Sequence, residues 1–221
     1  MGIILGAAYM FFFSALLVGN DTKYVYIDND DTIDSVYTKM SEFSKKGTQM
    51  TGFKMLVNNS KYADNIRTGR YALRPGEGSF VVFRHLKNGL QTPVNLVVPS
   101  VRTVDRLAAE FSKKLMLDSA TIYHALADEA TCQKYGYDTT TIAAMFIPNT
   151  YDIYWNVSTE KLLDRMHKEC NRFWNAERKE KANAMKLSPI EVSTLASIID
   201  EETANDGEKP VSYTHLTLPT T

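Results

Sequence analysis

Cysteine is nearly missing from these 221 residues: Cys132 and Cys170 are the two present. That excludes a disulfide framework and the paired spacing of a zinc site, leaving buried thiols or a single bridge. Histidine is sparse too, at four residues. His85, His124 and His167 stand singly, without a His-x-x-x-His spacing, and no metal is implied. Net charge is also lacking, at −1, so the chain has no field for gripping nucleic acid. Gly76-x-Gly78 lacks the further glycines and the long preceding strand of a dinucleotide fingerprint. No internal repeat is seen. What remains, 44% apolar and 23% charged, is an ordinary globular composition with room for one or two domains.

Long apolar runs are absent with one exception. Ile3 to Val18 is uncharged, with Phe11-Phe12-Phe13 at its centre. As a helix it spans about 24 Å, close to the hydrocarbon core once its flanks are added. No basic residue precedes it to fix an orientation, and no convincing small-x-small cleavage site follows. An uncleaved anchor, a signal peptide and a buried helix are the three readings. The anchor, over 1–20, is the one adopted.

The richest stretch lies near the other end. Ser188-Pro189-Ile190-Glu191 is a capping box with proline at the first helical position. On the helix that follows, at about 100° per residue, Leu195, Ile198, Ile199 and Glu202 fall within an arc of about 100°. Asp200 and Glu201 point elsewhere. Burial on that apolar stripe would raise the pKa of Glu202, and the helix C-terminus and two neighbouring carboxylates push the same way. Reaching the working range of a general acid takes about two pH units, roughly 3 kcal/mol. A solvated acidic helix end is the competing reading.

Leu195-Ala196-Ser197-Ile198-Ile199-Asp200-Glu201-Glu202-Thr203 resembles the signature of the endolytic murein transglycosylases, the MltG or YceG-like family. Met145-Phe146-Ile147-Pro148-Asn149-Thr150-Tyr151 and Gly69-Arg70-Tyr71-Ala72-Leu73-Arg74-Pro75-Gly76 resemble two further blocks of that family, in order, across roughly residues 24 to 210. The resemblance implies that Glu202 is the catalytic glutamate and that Asn149, Thr150 and Tyr151 contact substrate. The family often carries Asp at the position of Asn149, and an amide there has no acid/base role. The family's later Asp-Pro-Thr and Gly/Pro-rich blocks are not found. Residues 211–221 resemble a translated sequencing adapter, so a truncated gene is expected, with Leu195, Ile198 and Ile199 left uncovered and this fragment inactive.

Along the chain, Tyr24 to Ile27 reads as a strand, and Asp31 caps a helix from Thr32 to Ser44. A short helix follows between Met50 and Asn59. Tyr71 and Leu73 alternate in a strand, Ser79 caps a helix with Phe80, Phe83 and Leu86 inward, and Val94 to Val98 returns as a strand. The resemblance makes 21–98 a LysM-like module and 99–210 the first part of a YceG-like catalytic domain. There Thr103 and Ser119 cap helices, Thr139-Thr140-Thr141 marks a loop, and Ser158 opens one long helix to about Ala184. The aromatics Phe146, Tyr151, Tyr154 and Trp155 are either sugar-stacking platforms or ordinary packing.

The expected fold is therefore α+β with an N-terminal transmembrane helix. The resemblance implies a single-pass protein of the bacterial inner membrane, acting on peptidoglycan outside the cytoplasm with no cofactor. Cell-wall synthesis proteins are further expected partners, and nucleic acid is not. One carboxylate can serve such an enzyme, whereas most glycosidases use two. A non-enzymatic, anchored wall-binding module is the alternative. The name aminodeoxychorismate lyase, sometimes attached to the family, finds no pyridoxal-phosphate constellation here.

Overall fold

The computed structural model describes residues 2–44, 47–100 and 103–202, with backbone alone for 2–5, 7 and 200–202. The adapter-like residues 211–221 and Thr203 lie outside the described residues. The chain forms two compact units, Met1–Val94 with Tyr154–Asn156, and Asn95–Ile153 with Val157–Thr221.

In the first unit, helix α1 (Gly2–Phe12) leads to strand β1 (Lys23–Ile27), helices α2 (Ile33–Phe43) and α3 (Thr48–Asn58), strand β2 (Gly69–Leu73) and helix α4 (Ser79–Asn88). β1 and β2 pair antiparallel, with Tyr24 opposite Ala72 and Tyr26 opposite Arg70. Alternation along β1 buries Val25 and Ile27 and turns Tyr24 and Tyr26 outward. The core gathers Val36 and Met40 from α2, Phe53 and Val57 from α3, Tyr71 and Leu73 from β2, and Val82, Phe83 and Leu86 from α4.

The membrane anchor is overturned. α1 has 11 residues, about 16 Å of helix against the roughly 30 Å of a hydrocarbon core. No helix among the described residues is long and apolar enough to cross a membrane. The expected fold class loses its transmembrane helix and keeps its α+β character. The single-pass inner-membrane location loses its support as well. The physical reason is that the run leaves the helix after Phe12 and puts Leu16 and Leu17 into the core. The helix closes where Phe13 N and Ser14 N both donate to Tyr9 O, and Ser14 Oγ donates to Met10 O. Ala15 then bridges Gly78 and Leu17 bridges Ser44, and Leu16 and Leu17 are buried at 1% and 3% exposure. α1 packs so closely on α3 that a Cβ at Gly52 would stand 2.0 Å from Phe11 O.

Thr32, not Asp31, caps α2, its Oγ1 accepting from Ser35 N at 3.3 Å. Asp31 does other work. Its carboxylate accepts from Asp28 N, Ser35 Oγ and Lys39 Nζ at 2.7, 2.7 and 2.6 Å, and Lys39 also reaches Asp28 at 2.9 Å. Burial alone would raise the Asp31 pKa. The bonds from Lys39, Ser35 and Asp28, with the Lys39 charge, outweigh it and hold the carboxyl below its ordinary value. A lowered folded-state pKa stabilises above the unfolded value of about 3.9, and that stability is lost as pH falls through the folded one. Asp31→Asn is expected to cost roughly 1.5–3 kcal/mol at pH 7 and progressively less as pH drops below about 4. Urea melts of both proteins across pH 3–7 check this. A constant gap would refute it.

α4 also starts differently from the sequence reading. Gly78 is its cap, while Ser79 is fully buried and donates to Gln49 O at 2.6 Å. That phase turns Val82, Phe83 and Leu86 inward and leaves Phe80 40% exposed.

The second unit holds all but the first residue of strand β3 (Val94–Val98), then helices α5 (Val104–Ser112), α6 (Ser119–Ala127) and α7 (Glu129–Lys134) and a 3-10 turn at Ile142–Met145. Strand β4 (Asn149–Ile153) pairs with β3, and helices α8 (Thr159–Phe173), α9 (Ala176–Ala184) and α10 (Pro189–Glu202) follow. Asp118 caps α6 and Asp128 caps α7, through Thr121 N and Thr131 N. The threonine run is a loop tied by Asp138, which accepts from the amides and hydroxyls of Thr140 and Thr141 and is pulled down to about 2. The expected single helix from Ser158 to Ala184 is two. Asn175 Oδ1 takes Arg178 N at 3.0 Å and starts α9 afresh, with Trp174 turned into the core. Cys132 and Cys170 are free and buried.

Candidate active site

The capping box forms as its residues dictate. Glu191 N donates to Ser188 Oγ at 3.2 Å and Ser188 N donates to Glu191 Oε2 at 2.7 Å. The bond from Ser188 N, with the Ser188 hydroxyl beside the carboxyl, holds Glu191 below its ordinary value. With Pro189 at the first position, this fixes where α10 begins and hence the phase of everything after it.

That phase is visible in burial. Ile199 is buried, Val192 and Leu195 are half-buried, and Ile198 is 41% exposed. The expectation that Leu195, Ile198 and Ile199 all lie uncovered is corrected to Ile198 alone. α10 packs on α9 and on the 3-10 turn. At about 100° per residue, position 202 falls within about 20° of Leu195 and about 60° of Ile199. Asp200 lies about 160° away from position 202. The backbone of Glu202 closes α10, and its side chain, with those of Asp200 and Glu201, lies outside the described residues.

The second block sits in the same unit. From the 3-10 turn against which α10 packs, the chain passes through Phe146-Ile147-Pro148 into β4 at Asn149. Phe146 is buried against Phe111, ring centroids 5.8 Å apart. Tyr151 is buried too and donates its hydroxyl to Ile147 O at 2.8 Å, closing the Pro148 turn from below. Burial raises its pKa, and Glu169 and Cys170 add to that against Arg165, so the phenol stays protonated. Asn149 and Thr150 are exposed, with Asn149 Oδ1 accepting from Thr150 N at 2.8 Å. Of the three residues expected at substrate, two offer polar groups to solvent. The third holds the turn that presents them.

Of the aromatics left open between platform and packing, Phe146 and Tyr151 are core, whereas Tyr154 is 55% exposed and Trp155 belongs to the first unit. The sequence reading missed Glu169, a carboxylate only 12% exposed between Arg165 at 3.1 Å and Arg172 at 3.3 Å. The i,i+4 and i,i+3 spacing was its signal, hidden in a helix dense with charge.

The YceG-like family model matches residues 25–211. The chain belongs to the YceG-like family. The three blocks of the sequence all fall within the matched span. Among solved structures, this YceG-like chain is similar to the yceG-like protein lmo1499 of Listeria monocytogenes, seen in a crystal structure. The identity is 20% and the TM-score 0.48, over 86% of this chain and 67% of that one. No curated protein matches the chain.

Proposed function

We propose that this YceG-like protein is an endolytic transglycosylase that cleaves peptidoglycan strands between N-acetylmuramic acid and N-acetylglucosamine. Residues 21–98 serve as a LysM-like module and 99–210 as part of the catalytic domain. Glu202 is the acid and then the base. Its protonated carboxyl gives a proton to the glycosidic oxygen as the bond from muramoyl C1 breaks. The resulting carboxylate takes the proton of the muramoyl C6 hydroxyl as O6 bonds to C1. The product is a 1,6-anhydro end, no water is consumed, and Glu202 returns to its acid form. A group doing both tasks needs a pKa near the working pH. Asn149 and Thr150 are the polar contacts, and Tyr151 fixes their turn.

The observation that carries this is the cap-set phase of α10, which continues the Leu195–Ile199 stripe to position 202 in a chain of this family. The test is the chemistry of the new ends. The full-length gene product, incubated with peptide-free glycan strands, is expected to yield 1,6-anhydro ends by mass spectrometry. Reducing ends carrying oxygen from labelled water would mean a hydrolase and refute the mechanism.

A further inference from the structure

A cavity in the first unit lies between the turn after α3 and the last turn of α4. Its volume of about 570 Å³ is within the range of small-molecule sites. Three cations line it, Lys61, Arg67 and Lys87, against one carboxylate, Asp64. Three positive charges less one negative leave the wall at +2, in a chain whose whole balance is −1. The catalytic reading uses none of these residues.

Arg67 is held in place without being paired. Its Nε donates to Lys87 O at 3.1 Å, which offsets the negative end of α4. Its stem lies over Gly89, where a Cβ would stand 2.9 Å from Arg67 Cδ. Tyr71 fixes the backbone by donating its hydroxyl to Arg67 O at 2.9 Å. Among the described residues, no carboxylate meets the charges of Lys61, Arg67 or Lys87. The Lys87 ammonium lies 5.7 Å from the Phe83 ring centroid. Tyr62 also lines the cavity, at 2% exposure, and its hydroxyl is buried with no partner. Burial pushes the pKa of that phenol up, with Tyr71 and Asp31 adding to it, so it stays an O–H donor.

We infer that this cavity binds the phosphate monoester group of a small molecule, held by Arg67, Lys61 and Lys87. At neutral pH such a group is close to a dianion and carries three acceptor oxygens. Its charge matches the +2 of the wall, which a single carboxylate would leave half unmet. The fixed guanidinium offers a planar fork to two of the oxygens, and the lysines act as point charges. Asn65 and Asn88, also in the wall, bring amides to the rest of the molecule, and Asp64 accepts from its hydroxyls. None of this rests on the proposed function.

The test is a calorimetric titration of the full chain with glycerol 3-phosphate at neutral pH and low salt. Saturable binding is expected, with a Kd below about 1 mM. Inorganic phosphate is expected to compete, and acetate at the same concentration is not. Arg67→Lys, which keeps the charge and loses the fork, is expected to weaken binding at least about tenfold. Lys61→Gln and Lys87→Gln are each expected to weaken it about three- to tenfold. Lys54→Gln, an exposed lysine of the same unit outside the cavity, is expected to change it by less than about twofold. A flat titration of the parent overturns the site. So does unchanged binding in the three cavity variants, each shown to be folded by circular dichroism. Equal competition by acetate overturns the phosphate assignment, and an equal loss in Lys54→Gln overturns a local site in favour of the unit's general field.

Discussion

Leu16→Ala is expected to lower the unfolding free energy of the first unit by about 2–5 kcal/mol, and Leu17→Ala by a similar amount. Both side chains are packed with Val25, Val36, Phe53 and Tyr71 in one core, at 1% and 3% exposure. Truncating either removes buried methyl groups and leaves a void between β1 and α2–α4. Two such losses approach the whole stability of a small domain, about 5–15 kcal/mol. Val18→Ala, at a 55% exposed position of the same run, is expected to shift stability by less than about 0.5 kcal/mol. Urea unfolding followed by tyrosine fluorescence measures all three. A run that served as a membrane segment would show no such contrast, and equal midpoints would refute the packing.

Glu202→Gln is expected to reduce the rate of anhydro-end formation by at least about 10²–10⁴-fold, the usual contribution of one positioned acid or base. The loss falls toward the upper figure because the same carboxyl serves both proton transfers. The amide keeps the size and helix propensity of the side chain, so stability should be unchanged. Glu202→Asp keeps the chemistry but withdraws the carboxyl by one methylene, and a misplacement near 1 Å alone costs about 10²-fold. Asp200→Asn, about 160° away on α10, is expected to cost far less. Initial rates for the three variants of the full-length product decide it. Equal rates for Glu202→Gln and the parent would remove Glu202 from the mechanism.

Local chemistry was readable where a few neighbouring residues settle the matter. The Ser188–Glu191 box, Pro189 and the alternation of β1 each need only short-range bonds, and each forms as its residues require. The cap of α2 was misread by one residue because Asp31 and Thr32 both suit the role. A long-range partner, Lys39, claims Asp31 and leaves the amide of Ser35 to Thr32. The helix break at Asn175 hid within a charged periodic run, since periodicity does not register a competing cap. The apolar N-terminal run misled for a different reason. Its hydropathy is compatible with lipid and with a protein core alike, and only the bridges to Gly78 and Ser44 distinguish them. Of the site, the capped start of α10 was legible. The burial of Tyr151, and the charges of Glu169 and Arg165 from α8 acting on it, could not be read from its own block.

The return of Tyr154–Asn156 gives the first unit an order of assembly. A ribosome releases β1, β2 and the helices between them well before it reaches Trp155, and everything from β3 through β4 is made in the interval. During that time Tyr26 waits without its edge-on partner, and Thr68 O without the amide of Asn156. The sheet face is therefore the last part of the unit to be finished, although its strands are among the first to emerge. An expression fragment stopped at Val94 would hold the hydrophobic core and lack Trp155, which meets the Tyr26 ring edge-on at 5.0 Å.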